Sequence, residues 1–203
     1  MKFKFLIPAF LVVLFFSFKP VATETFIVDS KNSSIEWTAS KIGGSHSGTI
    51  KVASGNLIFD GKNLNGGSVN IDMTSIDISD LKGNSYERLL GHLKSDDFFS
   101  VVKHPASTFQ ITSVNPTGTE RANVTGNLTI KGITNAITFP ATIKRQKNLV
   151  VAVAKNIKVD RTKYDIKYRS KSFFGDIGDK AIDDEFEISI NLVAKKQTKP
   201  EVF

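Results

Sequence analysis

From about Thr23 onward the chain alternates apolar and polar positions almost to its end. Ile35, Trp37 and Ala39 fall on one side and Glu36 and Thr38 on the other. Ile50 and Val52 repeat the pattern, followed by Leu57 and Phe59, and then Val69, Ile71 and Met73 against Asn70 and Asp72. Further on come Phe109 and Ile111, then Val124, Gly126, Leu128 and Ile130, then Ile137, Phe139, Ala141 and Ile143. Leu149, Val151, Val153, Ile157 and Val159 share one parity, and Phe186, Ile188, Ile190 and Leu192 close the series. A period of two sends successive side chains to opposite faces, so each run predicts a strand with one apolar face. Turn signals separate the runs at Ile42-Gly43-Gly44-Ser45, Ser54-Gly55-Asn56, residues 61–67 and Asn115-Pro116-Thr117-Gly118. About eight or nine short strands at this spacing argue for an all-β sandwich or barrel. The short links between the first strands predict antiparallel neighbours.

One segment breaks the alternation. Tyr86, Leu89, Leu90 and Leu93 fall three, four and seven apart, which marks one face of a short helix over residues 84–94. Asn84 and Glu87 have the spacing of a capping box. The apolar face of such a helix needs something to cover, and the open end of a barrel is the natural candidate. The polar tail, residues 195–203, is expected to fray. Residues 23–194 are expected to form one domain.

The N-terminus changes the picture of charge and compartment. Lys2 and Lys4 precede an uncharged run at residues 5–18, which Lys19-Pro20 ends. This is the layout of a secretory signal peptide over residues 1–22, and the run is short for a membrane span of roughly 20 residues. A periplasmic or secreted location is therefore expected. Without residues 1–22 the chain carries 24 basic and 20 acidic residues, so the net charge falls from +7 to +4. That suits transient contact with an anionic membrane surface, and equally plain solubility. Nucleic acid is not an expected partner, because no basic stripe with interleaved aromatics is present. A dimer fits the pattern as well as a monomer does. With no cysteine in the chain, disulfides, thiol nucleophiles and thiolate metal sites are excluded.

The inward set mixes large residues, such as Trp37 and Phe139, with small ones, Ala39, Gly126 and Ala141. In a closed eight-strand barrel such a lining either fills the interior or leaves room for one ligand. An apolar void stays dry and accepts an apolar guest. A filled sandwich would alternate in the same way.

Three stretches carry a resemblance to a known family. Residues 92–109, His-Leu-Lys-Ser-Asp-Asp-Phe-Phe-Ser-Val-Val-Lys-His-Pro followed by Phe109, are similar to the H-L-x-S-x-D-F-F-x-V-x-x-[YH]-P-x-x-x-F signature of the YceI-like family. Residues 126–134, Gly-Asn-Leu-Thr-Ile-Lys-Gly-Ile-Thr, resemble its G-x-L-T-[IL]-x-G-x-T hairpin. Asp160-Arg161-Thr162-Lys163-Tyr164 with Asp184-Glu185-Phe186-Glu187-Ile188 resembles its closing segment, and Ile35-Glu36-Trp37 and residues 55–60 fit in order. The resemblance covers nearly all of residues 25–194. It implies an eight-stranded antiparallel, lipocalin-like barrel and a long-chain lipid partner, of isoprenoid, quinone-like or fatty-amide type. It implies no catalytic residue set and no cofactor beyond such a lipid. Many relatives carry a histidine soon after the aromatic residue of the second strand. Here that neighbourhood reads Thr38-Ala39-Ser40-Lys41, and the nearest histidine is His46.

Several residues are thus candidates for the ligand space. Parity places Trp37, Ile50, Phe59, Ile71 and Met73 inward from the first half of the sheet. Phe109, Leu128, Phe139 and Val151 join them from the second half. Leu93, Phe98 and Phe99 come from the helix and the residues after it. Arg161 and His46 are candidate head-group contacts. No metal site is expected, since His46, His92 and His104 lack ligand spacing. Three functions compete: a lipid carrier, a lipid-modifying enzyme with a histidine at the cavity mouth, and a solid interaction module with an exposed apolar patch.

Overall fold

The computed structural model describes residues 23–175 and 177–197. The expected signal peptide at residues 1–22 and the chain beyond Gln197 lie outside the described residues. The elements follow in the order β1 (Thr23–Val28), β2 (Ser34–Lys41), β3 (Gly44–Asp60), β4 (Asn63–Ile78), α1 (Gly83–Lys94), β5 (Ala106–Pro116), β6 (Arg121–Ile130), β7 (Ile133–Arg145), β8 (Leu149–Asp160) and β9 (Ile182–Lys196). Short 3-10 turns at Arg161–Tyr164 and Gly178–Lys180 lie between β8 and β9.

Every pairing is antiparallel, and the order β3-β2-β9-β8-β7-β6-β5-β4 closes when β4 pairs back with β3. The remaining strand, β1, adds no ninth position. Like β2 it runs between β3 and β9, covering residues 56–60 of β3 while β2 covers residues 44–50. The two are one barrel strand interrupted at residues 29–33, so the barrel has eight positions, as the resemblance implies.

Asp29 anchors this interruption. Its carboxylate accepts from the Lys195 ammonium at 2.7 Å, the Asn32 amide at 2.9 Å and the Lys31 N–H at 3.2 Å. The Lys195 bond, with the Asn32 bond behind it, holds the Asp29 pKa down at about 2. β9 therefore runs to Lys196, two residues into the stretch expected to fray, and Lys196 also reaches Glu24.

The turns obey local chemistry, but two of the expected ones fall largely inside strands: of residues 61–67 only Gly61 and Lys62 turn, and β4 already begins at Asn63. Lys131 and Gly132 have φ of 51° and 75°, the left-handed pair that a two-residue hairpin turn between β6 and β7 requires. Ser54-Gly55-Asn56, expected as a turn, instead lies inside the 17-residue β3. The register against β4 shifts at Val52–Ser54, so glycine here marks a bulge. A Cβ on Gly55 would stand 2.6 Å from the Ser68 carbonyl oxygen.

Helix α1 forms where the periodicity places it. Leu93 is buried, and Tyr86, Leu89 and Leu90 rest against the core. It begins at Gly83 without a side-chain cap, so Asn84 falls inside the first turn and the expected Asn84–Glu87 capping pair does not form.

Candidate ligand cavity

The lower end of the barrel is plugged by side chains. Phe26 and Phe59 meet edge to face at 5.3 Å, and the Arg145 guanidinium lies over both rings at 5.0 and 4.7 Å. Glu24 pairs with Arg145 and holds it there. The cation thus caps an aromatic floor, a favourable arrangement for a delocalised charge.

Above this floor the interior is not full. A lower void of about 70 Å³ lies among Leu57, Leu64, Phe109, Phe139, Ala141 and Ala154. An upper void of about 90 Å³ lies among Trp37, Ile50, Met73, Leu93, Phe98, Phe99 and Leu128. Ile35 and Ile71 border both, forming a waist between two stacked chambers. Their walls are almost wholly apolar.

The upper chamber is roofed by three segments. Leu93 of α1, Phe98 and Phe99 of the following loop, and Arg161 and Ile166 beyond β8 all border it. Rings lock these segments together. His92 packs edge to face on Phe98 at 4.8 Å and on Tyr168 at 4.5 Å. The Lys131 ammonium donates to the backbone carbonyls of Asp96 and Asp165, which ties the β6–β7 turn to the same roof.

Most of the predicted lining residues come together. Trp37, Ile50, Ile71, Met73, Leu93, Phe98, Phe99 and Leu128 border the upper chamber; Phe109 and Phe139 border the lower one, with ring centroids 5.4 Å apart. Two predicted residues do not. Phe59 belongs to the packed floor. Val151 borders neither chamber, because β8 carries a bulge: the register with β9 shifts between Ala154 and Ile157, with Asn156 at φ 54°. An extra residue there reverses the facing of everything before it, so Val150, Ala152 and Ala154 point inward ahead of the bulge and Ile157 and Val159 after it.

The two head-group candidates are otherwise engaged. Arg161 borders the upper chamber, but every guanidinium nitrogen is occupied. Nε donates to the Asp183 carbonyl, Nη1 to those of Ile166 and Tyr168, and Nη2 to that of Ile182, with Asp184 ion-paired at 3.5 Å. Burial lowers its pKa from the ordinary arginine value, against the opposing pull of Asp184, Asp160 and Asp183. Arg161 is the buried clamp that shapes the chain after β8. His46 pairs with Asp80 at 2.8 Å on the barrel rim and borders neither chamber. His92 and His104 border neither as well, so no histidine stands where acid–base work on a bound lipid would need one. The described residues hold no cluster of metal-ligating groups.

Several lining residues stand outside the predicted set, among them Leu64, Ile76, Ile166 and Ile182, and one of the others, Ser107, is both polar and buried. Ser107 shares the inward parity of Phe109 and Ile111 on β5 and borders the upper chamber. Parity alone pointed to it, and its polar character hid it.

A profile of the YceI-like domain matches residues 26–194. The chain belongs to the YceI-like domain family. Among curated relatives, a UPF0312 protein of Pseudomonas putida is 35% identical over 115 residues, which is 56% of this chain and 58% of the relative. Protein YceI of Salmonella arizonae is 38% identical over 99 residues, 49% of each chain. These matches thus span about half the length of the relatives. Among solved structures, Burkholderia cenocepacia BcnA superposes with a TM-score of 0.68 at 22% identity, covering 82% of this chain and 99% of that one. A polyisoprenoid binding domain from Saccharophagus degradans superposes with a TM-score of 0.60 at 11% identity, covering 85% and 98%. The YceI-like barrel described above is therefore a fold with solved counterparts over nearly its whole extent.

Proposed function

We propose that this YceI-like chain is an exported carrier that takes the apolar chain of an isoprenoid-type lipid into its two stacked chambers. The carrying observation is a closed barrel with an apolar, unfilled interior above a plugged floor. A solid interaction module would have spent those positions on packing, since an unfilled apolar void loses contacts on every side. The polyisoprenoid-binding description of the Saccharophagus neighbour and the signal-like residues 1–22 support the same reading. About ten buried carbons gain on the order of 8 kcal/mol, micromolar affinity before ordering costs.

A carrier of this kind collects its cargo from a membrane. Phe173 and Phe174 are 51% and 49% exposed, and Val102 projects from the loop after α1. Lys167, Arg169 and Lys171 flank the two phenylalanines, with Lys167 5.0 Å above the Phe173 ring. Tyr168, next to Lys167, packs on Phe98 of the roof at 5.7 Å. This end of the barrel is the proposed contact with an anionic bilayer.

The test is native mass spectrometry of the protein recovered from the periplasm of a bacterial host, with extraction and identification of any lipid. The expected result is an added mass matching a chain of about ten carbons or more, lost in Ala39→Phe, which fills the upper chamber. A parent protein consistently free of lipid refutes the carrier.

A further inference from the structure

Three buried side-chain atoms lack a hydrogen-bond partner among the described residues: Ser107 Oγ, Tyr164 Oη and Asp184 Oδ1. Of these residues Ser107 alone borders a chamber. It is 3% exposed and stands opposite Ile71, the waist residue, in the β4–β5 ladder. Leaving a buried hydroxyl unpaired is unfavourable, and natural cores rarely tolerate it without a purpose. A trapped water is a poor partner here, because it would want two or more polar neighbours of its own. The other polar residues bordering the chamber are Arg161, whose nitrogens are all engaged, and Asp183, which is exposed at the rim.

We infer that Ser107 is a hydrogen-bonding anchor inside the upper chamber and selects a ligand with an uncharged polar group, a hydroxyl, carbonyl or carboxamide, over one with a phosphate. This rests on the carrier reading and narrows its cargo. A neutral hydroxyl donates one bond and accepts others, which suits a neutral oxygen or amide. A phosphate drawn into the same place would be stripped of water with no free cation to compensate it. The anchor also sets the register of the cargo: its polar group sits at the base of the upper chamber, level with Ile71, and its apolar chain passes the Ile35–Ile71 waist into the lower chamber.

Trp37 provides the readout, since it is the only tryptophan in the chain and borders the same chamber. Full-length parent, Ser107→Ala and Ser107→Thr are titrated with farnesol, farnesene and farnesyl diphosphate while Trp37 emission and heat of binding are recorded. Loss of one hydrogen bond is expected to weaken farnesol about fivefold in Ser107→Ala. Farnesene is expected to bind Ser107→Ala as it binds the parent, and Ser107→Thr restores farnesol. In the parent, farnesyl diphosphate is expected to bind at least about tenfold more weakly than farnesol. Farnesol binding unchanged in Ser107→Ala, or a diphosphate that equals farnesol, overturns the anchor and leaves the carrier standing. Folded parent protein that binds none of the three overturns both.

Discussion

A Cβ added to Gly48 would stand 2.6 Å from the Trp37 ring, and one added to Gly126 would stand 2.4 Å from the Phe109 ring. Trp37 therefore fills the space its cross-strand partner leaves, and Phe109 fills that left by its diagonal neighbour. The small residue at 126, which in sequence reads as room for a guest, is consumed by Phe109, whereas Ala39 and Ala141 do border the chambers. Alternation tells which way a side chain faces but not how far its neighbour leans, and this is why the lining was legible and its vacancies were not. Tyr164 shows a different residue-scale cost. It is 1% exposed, its hydroxyl has no partner among the described residues, and burial pushes its pKa up to about 12. The folded form thus holds the phenol proton more tightly than the unfolded chain does. That stability is complete below the unfolded value of about 10 and is lost as pH rises through the folded value, a difference on the order of 2 kcal/mol. Tyr164→Phe is expected to raise the thermal midpoint at neutral pH and to flatten the loss of stability above pH ~10, because it removes the unpaired hydroxyl. A variant less stable than the parent in a pH series of thermal melts would mean that the hydroxyl is bonded after all.

At the scale of elements, the strands and α1 follow the periodicities of the sequence, and the departures have one cause. An extra residue in β8 and another in β3 break the period of two without breaking the apolar string. Val150 to Ala154 are all apolar, so neither parity stands out in the sequence, and only the cross-strand register reveals the slip that turns Val151 outward. Likewise, nothing local foretells that β1 and β2 share one position, because that is decided by where β3 and β9 lie. The segment between the two 3-10 turns carries the proposed membrane contact, and it can be tested apart from the chambers. Phe173→Ser combined with Phe174→Ser is expected to lower affinity for phosphatidylglycerol vesicles at least about tenfold, given 1.5–3 kcal/mol per buried phenylalanine. Binding of geraniol in solution, followed through Trp37, should not change. Equal vesicle binding by parent and variant in a sedimentation assay would remove this segment from the proposal.

Seen whole, the barrel is fastened unevenly. β7 pairs with β6 along residues 133–142, yet it meets β8 only along residues 142–145, where β8 contributes residues 150–153. Pro140, which has no N–H to offer, lies just before that short ladder. Over the rest of the join, among the described residues, a side-chain bond from Asn135 to the Lys163 carbonyl spans toward the 3-10 turn. Ala141, Val153 and Ala154, beside this join, border the lower chamber on one side and a surface hollow on the other. Hydrogen exchange should find residues 133–141 less protected than residues 121–130 of β6, and loading with farnesol should slow them. Uniform protection around the barrel would show the join to be sealed. A vessel laced tightly on every side but one swells along the loose lacing. Its girth can thus follow the thickness of the cargo, while the aromatic floor and the ring-locked roof keep their places.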